Sequence, residues 1–398
     1  MALPSSGAIS LNDVNVELGN SGNASINMGS TAVRDLFGVA SGAISLSDGY
    51  GAASVSAVNP LTLSKTSQLC GVNYVPNYGP TGPYDAGPEF GREIAAGHDG
   101  TYYAVGARNT TPPSMYVFNA DGSLRFNKTA GPSGAQSPLS VCITENYVVW
   151  VDRECSTTQR LYVYNLSNGA YVRTIISTIN GSCNLGGGAR VLSVPGTDIM
   201  YIRMGRQNQT GEVGYANIGT GAWLGMATTK STGPIANGMA VTDNNVFTVG
   251  YDATQGYVEK WSHSLSLVAT YAGLPRVPLR ISATENTLLV QYGLTGEYSK
   301  IYSQSMSLIA TLPVLGLNVA DVHSDKVHHY VALNNASSVL VFDESGTLVR
   351  TIATALTAST TQIQVSADGM IIASRIQNQT TCGATGGTAT GEAQIWKE

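Results

Sequence analysis

Val339-Leu340-Val341-Phe342 runs into Asp343-Glu344-Ser345-Gly346 and then into Leu348-Val349-Arg350-Thr351-Ile352. Two short apolar runs joined by a polar turn with glycine read as a β-hairpin, because glycine or asparagine supplies the positive φ of a tight turn. The phrase recurs. Met115-Tyr116-Val117-Phe118 precedes Asn119-Ala120-Asp121-Gly122 and Leu124-Arg125-Phe126, and Leu161-Tyr162-Val163-Tyr164 precedes Asn165 to Gly169 and Tyr171 to Ile175. Weaker copies lie at Gly214–Leu224, Tyr257–Tyr271 and Lys300–Leu312, and Ala393-Gln394-Ile395-Trp396 begins one more.

Upstream of each hairpin stands a second apolar run, such as Tyr147-Val148-Val149-Trp150-Val151, Leu288-Leu289-Val290-Gln291-Tyr292 or Met370-Ile371-Ile372-Ala373, often after a turn such as Thr144-Glu145-Asn146 or Thr242-Asp243-Asn244. That gives four strands per unit at a period of about 45 residues, the spacing of propeller blades. Consecutive apolar positions in these runs fit strands buried on both faces. The expected fold is all-β: a seven-bladed β-propeller over residues 89–398. An open β-solenoid and a pair of β-sandwiches are the alternatives, and the four-strand period disfavours both. The last unit holds only three strands, so a strand within 61–64 or 71–75 is expected to pair with Ala393–Trp396 and close the ring, leaving no exposed edge. Residues 52–88 are accordingly read as linker and closing strand.

The N-terminus carries a different repeat. Ser6-Gly7-Ala8-Ile9-Ser10-Leu11-Asn12-Asp13 returns as Ser41-Gly42-Ala43-Ile44-Ser45-Leu46-Ser47-Asp48. Some fifty residues of small and polar side chains bury little core, so residues 1–51 are expected to be extended and ordered by a partner. The string Leu3-Pro4-Ser5-Ser6-Gly7-Ala8-Ile9-Ser10-Leu11-Asn12-Asp13, the step Ala32-Val33-Arg34-Asp35-Leu36-Phe37-Gly38 and the close Ser41 to Gly51 together resemble the opening of tailed-bacteriophage virion structural proteins of the tail, neck or fibre type. The resemblance covers about an eighth of the chain. It implies a virion location, synthesis in a host cytoplasm, and partners among other tail or neck proteins and sister copies. The residues expected to fill partner grooves are Ile9, Leu11, Val14, Val16 and Leu18, then Val33, Leu36 and Phe37, then Ile44, Leu46 and Tyr50.

Composition narrows the function. Charged residues make up 12% of the chain and the net charge is −5, with no Lys/Arg cluster, which disfavours nucleic-acid binding. Met1-Ala2-Leu3-Pro4-Ser5-Ser6 has no cationic n-region, and no apolar run of about eighteen residues predicts a membrane helix. The five cysteines, Cys70, Cys142, Cys155, Cys183 and Cys382, show no C-x-x-C spacing. Free thiols are the expectation, with Cys70–Cys382 or Cys155–Cys183 as later pairings in an oxidising medium.

Chemistry-bearing clusters are few. His323, His328 and His329 lie close, but neighbours on a strand point to opposite faces, so cross-strand polar packing is expected rather than a metal site. His98 and His263 read as solvated turn residues. Asp152-Arg153-Glu154 reads as an exposed loop rather than the carboxylate pair of a glycosidase. The amide-rich loops 205–210 and 375–380 are the candidates for glycan contact. Gly186-Gly187-Gly188 and Gly383-Ala384-Thr385-Gly386-Gly387 lack the lysine and helix of a phosphate cradle. The expectation is a non-enzymatic virion component without cofactor or metal, displaying its propeller for protein or host-surface contact. A receptor- or glycan-binding adhesin is the alternative, and a glycan-degrading enzyme ranks third.

Overall fold

A computed structural model describes residues 3–4, 6–18, 21–37, 39, 41–50, 67–68, 89–108, 114–121, 123–129, 138–152, 159–179, 190–204, 211–230, 238–333, 338–353, 362–366, 371–376, 388–389 and 391–396. The chain forms two compact units, Met1–Val58 with Trp396–Glu398, and Asn59–Ile395.

The larger unit is all-β. After β1 (Ser67–Gln68) come six four-stranded antiparallel sheets, each in sequential strand order. The first holds β2 (Glu89–Ala96), β3 (Tyr102–Arg108), β4 (Ser114–Asn119) and β5 (Leu124–Thr129). The second holds β6 (Pro138–Ile143), β7 (Tyr147–Asp152), β8 (Arg160–Asn165) and β9 (Tyr171–Ile176). The third holds β10 (Arg190–Ser193), β11 (Ile199–Met204), β12 (Glu212–Asn217) and β13 (Ala222–Thr228). The fourth holds β14 (Met239–Val241), β15 (Val246–Tyr251), β16 (Gly256–Trp261) and β17 (Leu267–Leu274). The fifth holds β18 (Pro278–Ala283), β19 (Thr287–Tyr292), β20 (Tyr298–Ser303) and β21 (Leu308–Leu315). The sixth holds β22 (Val319–Ser324), β23 (His328–Leu333), β24 (Ser338–Asp343) and β25 (Leu348–Ala353).

This is a six-bladed propeller, which corrects the expected count of seven. The last sequence repeat makes a three-stranded sheet of β26 (Gln362–Val365), β27 (Ile371–Ile376) and β29 (Gly391–Trp396), while β28 (Thr388–Ala389) pairs over two residues with β1. A blade requires four mutually bonded strands, and this repeat supplies three. β26 packs against β22 on one side and β2 on the other. The segments 61–64 and 71–75, expected to close the ring, lie outside the described residues.

The blades cohere through apolar layers between them. Ala104, Met115 and Val117 of the first blade pack on Val148, Trp150 and Tyr162 of the second. Val149, Val151, Leu161 and Val163 of that blade pack on Val191, Met200 and Ile202 of the third. β7 therefore buries alternate residues into different layers, which explains its unbroken apolar run. Each such Val or Leu contributes about 1.5–3 kcal/mol. Outer strands are half-solvated: β13 alternates exposed and half-buried positions along its length.

The hairpins between third and fourth strands share one geometry. A register shift falls at Val117/Phe118, Val163/Tyr164, Tyr215/Ala216, Lys260/Trp261, Ile301/Tyr302 and Val341/Phe342. A left-handed residue followed by a bulge is how a three-residue loop matches strand twist. Gly346 takes that position with φ +85°, and Asp343 Oδ1 accepts the N–H groups of Ser345 and Thr347, both at 2.9 Å. In the fourth and fifth blades the same place is held by Leu265 (φ 57°) and Met306 (φ 66°), whose side chains pack into the inter-blade layers.

The smaller unit departs from the expected extended segment. Its described residues form α1 (Leu11–Glu17), α2 (Thr31–Phe37) and a 3-10 turn at Leu46–Gly49. The repeated phrase is a helix-start signal. Gly7 and Gly42 take φ of +92° and +89°, and Ser10 and Ser45 then stand at N-cap positions. Asp13 Oδ2 accepts the Ser10 N–H at 2.7 Å while Ser10 Oγ accepts the Asp13 N–H at 3.2 Å; Asp48 Oδ2 accepts the Ser45 N–H at 2.7 Å. These reciprocal bonds satisfy donors that a helix start leaves free. Leu3, Ile9, Val14, Val33 and Phe37 close over a small core. Arg34 donates to the carbonyls of Gly29 at 3.1 Å and Gly42 at 2.9 Å, tying α2 to the second copy of the phrase.

Candidate functional site

The first strands of the blades surround an axial cavity of about 120 Å³. Small side chains, Ala95, Cys142, Ala240 and Ser282, line it beside larger ones such as Arg190, Leu192 and His323. His98, Asp243, Glu285, Asp325 and Lys326, from turns after the first strands, line the same cavity. Lys326 Nζ lies 3.7 Å from both Asp243 Oδ2 and Glu285 Oε1. All three side chains are about half exposed, so these pairs contribute little to stability. Burial alone would raise the Asp325 carboxyl, but bonds from His328, Val327 and Tyr330 hold it below its ordinary value.

Arg190 lines the cavity beside the buried Asp321. Arg190 Nη1 approaches Asp321 Oδ2 at 3.3 Å, Arg280 Nε approaches Oδ1 at 3.3 Å, and the N–H groups of Val322 and Ile363 donate to the same carboxylate at 3.0 and 3.2 Å. These donors offset the cost of taking a carboxylate out of water. The third, fifth and sixth blades and the three-stranded sheet thus meet on one side chain.

The histidines serve structure in different ways. His323 sits half-buried on the cavity wall, and its Nδ1 accepts the Val365 N–H at 3.3 Å. Burial, then the neighbouring Arg190, pushes its pKa down to about 4. His329 is fully buried, with Nδ1 2.7 Å from Ser324 Oγ and Nε2 2.9 Å from Thr287 Oγ1, and burial pushes it down to about 3. His328 turns instead to Asp325 Oδ2 at 3.4 Å. The three side chains therefore enter no common ligand set. His263, read as solvated, bonds Tyr201 Oη through Nδ1 at 2.9 Å and the Asp243 carbonyl through Nε2 at 3.0 Å, joining the third and fourth blades. Asp152, read as an exposed loop residue, is fully buried at the end of β7, where the strand alternation carries it into the interior. Glu154, the loops 205–210 and 377–380, and all cysteines but Cys142 lie outside the described residues. Cys142 is a buried free thiol whose pKa burial pushes up to about 12.

The expected partner-binding residues divide by burial. Ile9, Val14, Val33 and Phe37 are committed to the small unit's own core, and Leu18, Leu36, Ile44 and Leu46 pack partly against it. Leu11, Val16 and Tyr50 remain 45%, 45% and 46% exposed. Of the eleven, these three are the exposed ones. Asp13, Asp48 and Arg34 are structural residues that the sequence reading does not single out; for the two aspartates a signal exists, since a serine followed three residues later by an acid is the capping signature.

A scan against protein-family models finds no match, and no curated protein matches. Solved structures do resemble the chain. The WD40 domain of Neurospora crassa Pan2 is 12% identical, with a TM-score of 0.54, over 82% of this chain and 93% of that one. The Dos1 propeller is 9% identical, with a TM-score of 0.51, over 77% and 78%. BamB from Moraxella catarrhalis is 13% identical over 78% and 85%, with a TM-score of 0.49. The first two show that the larger unit is a β-propeller. At such identities the likeness extends to the fold alone. Among the described residues no helix is long and apolar enough to cross a membrane.

Proposed function

We propose that this chain is a structural protein of a tailed-bacteriophage virion, attached through its N-terminal unit and displaying the propeller to protein or host-surface partners. The observation that carries this reading is the division of labour in the chain. A propeller is joined to a much smaller unit, which begins with the phage-type opening string and leaves Leu11, Val16 and Tyr50 exposed. Exposed apolar side chains on so small a unit favour burial against a partner. The partners are other tail or neck proteins and sister copies. In this reading the propeller is a non-catalytic display domain.

The test uses the exposed residues and spares the core. Leu11→Asp with Val16→Asp puts two charges where an apolar contact is needed, while the propeller keeps its circular dichroism spectrum and melting temperature. Phage assembled with this variant should contain little or none of it. Incorporation at wild-type copy number refutes attachment through this unit.

A further inference from the structure

We propose that Asp321 and His323 form an acid-released latch that holds the three-stranded sheet against the sixth blade. β26 and β22 are not hydrogen-bonded neighbours within one sheet. Two side chains of β22 bridge the seam instead. Asp321 Oδ2 accepts the Ile363 N–H at 3.2 Å, and His323 Nδ1 accepts the Val365 N–H at 3.3 Å. Residues 321 and 323 share one face of β22, and 363 and 365 share one edge of β26, so the two bonds form a short side-chain-to-backbone ladder.

The His323 bond works only with a neutral ring. An imidazole nitrogen that accepts an N–H has no proton of its own, so the ring proton resides on Nε2. Protonation adds a hydrogen to Nδ1, and two donors then face each other at Val365. The surroundings oppose the charged ring while the seam is closed. Arg190 approaches from β10, and Arg280 of β18 pairs with the same Asp321, whereas Asp321 and Asp325 on the same segment favour the proton. β26 brings no charged side chain from Gln362 to Ser366. β2, packed on β26, carries Glu89, Arg92 and Glu93, whose side chains are outside the described residues. Burial holds the ring's pKa down near 4, against 6.5 for a free histidine. An opened seam returns the ring to water, so acid draws the equilibrium toward the open form.

The experiment is hydrogen exchange on the full-length chain between pH 7 and pH 4, corrected for intrinsic rates, following the peptide that spans residues 362–366. Opening of that peptide should begin to rise below about pH 6.5 and increase roughly a hundredfold by pH 4, as expected when one group's pKa moves from about 4 closed to 6.5 open. Peptides covering β7 and β8 should keep their protection. His323→Asn places an amide oxygen where Nδ1 stood; it should remain protected at pH 7 and lose most of the acid response. Equal acid opening in His323→Asn overturns the latch. So does wild-type protection that stays flat to pH 4, or opening of β26 only together with every other blade; the wild-type profile decides even if the variant does not fold.

Discussion

Tyr50 donates its hydroxyl hydrogen to the Gly7 carbonyl at 2.6 Å, so the end of the second copy of the repeated phrase is fastened to the start of the first. The duplication thereby becomes a closed structural unit. Each copy starts a helical turn with a left-handed glycine and a capped serine, and Tyr50 and Arg34 tie the two together. Tyr50→Phe removes one neutral bond at a half-exposed site and should cost about 0.5–1 kcal/mol, read as faster hydrogen exchange across residues 6–18 in the full chain. No change there would mean the bond does not hold the unit closed.

The two serines should be unequal in effect. Ser10→Ala removes the cap of a two-turn helix and should cost about 1 kcal/mol. Ser45→Ala affects a single 3-10 turn, where Asp48 still accepts the residue 45 N–H, and should cost about half as much. Exchange protection of α1 measures the first and that of residues 45–50 the second. Equal losses would contradict the difference between capping a two-turn helix and capping a single 3-10 turn.

Left-handed Leu265 and Met306 permit a paired comparison. Glycine at either site relieves about 1–2 kcal/mol of backbone strain. Leu265 is buried among Tyr201, Val246 and Trp261, so Leu265→Gly also deletes a packed side chain and should be destabilising by about 1–2 kcal/mol net. Met306 is only partly buried, so Met306→Gly should lie within about 1 kcal/mol of neutral. Urea melts of both variants decide it; a stabilised Leu265→Gly would show that strain outweighs packing there.

The axial carboxylate of Asp321 gathers two guanidiniums and two backbone donors. Asp321→Asn leaves two guanidiniums facing a neutral amide near a cavity, and breaking a buried pair in this way costs about 3–5 kcal/mol. Arg280 is 38% exposed, so Arg280→Gln should cost far less, about 1 kcal/mol. Thermal melting ranks them. Equal costs would mean that Arg190 and the two backbone donors do not support Asp321 as the geometry implies.

Acid should weaken the propeller before ordinary carboxylates titrate. His323 and His329 have folded pKa values of about 4 and about 3, below the 6.5 of a free ring. Their contribution is complete above pH 6.5, and each proton taken up on unfolding removes about 1.4 kcal/mol per pH unit as the pH falls toward 4. Glu259, raised by burial, acts in the opposite sense near and above its ordinary value, so the slope should lie below two protons. Stability from urea melts between pH 7 and pH 4 measures this. A flat profile would place both rings in contact with water.

Much of the blade architecture could be read from residues such as Val339–Ile352 because hairpin chemistry is local: Asp343, Gly346 and the flanking apolar runs determine the turn wherever it occurs. The blade count was not local. Three strands and a terminal ladder look like a blade in the sequence, and only pairing distinguishes them. Leu265 and Met306 were silent for a related reason, since their left-handed backbone is sustained by inter-blade packing rather than by residue type. The axial cluster of Arg190, Arg280 and Asp321 joins positions more than a hundred residues apart and carries no spacing signal. The helical starts of the N-terminal unit are legible in the S-x-x-D signature at Ser10 and Ser45, whereas its low apolar content argues for an extended segment.

The central claim is attachment through the N-terminal unit, and a density map of the assembled particle tests it most directly. The account predicts residues 1–58 seated on another virion protein or a sister copy, with Leu11, Val16 and Tyr50 covered and the propeller displayed. A particle that lacks the chain, or that holds it through the propeller with those three side chains open to solvent, would contradict it.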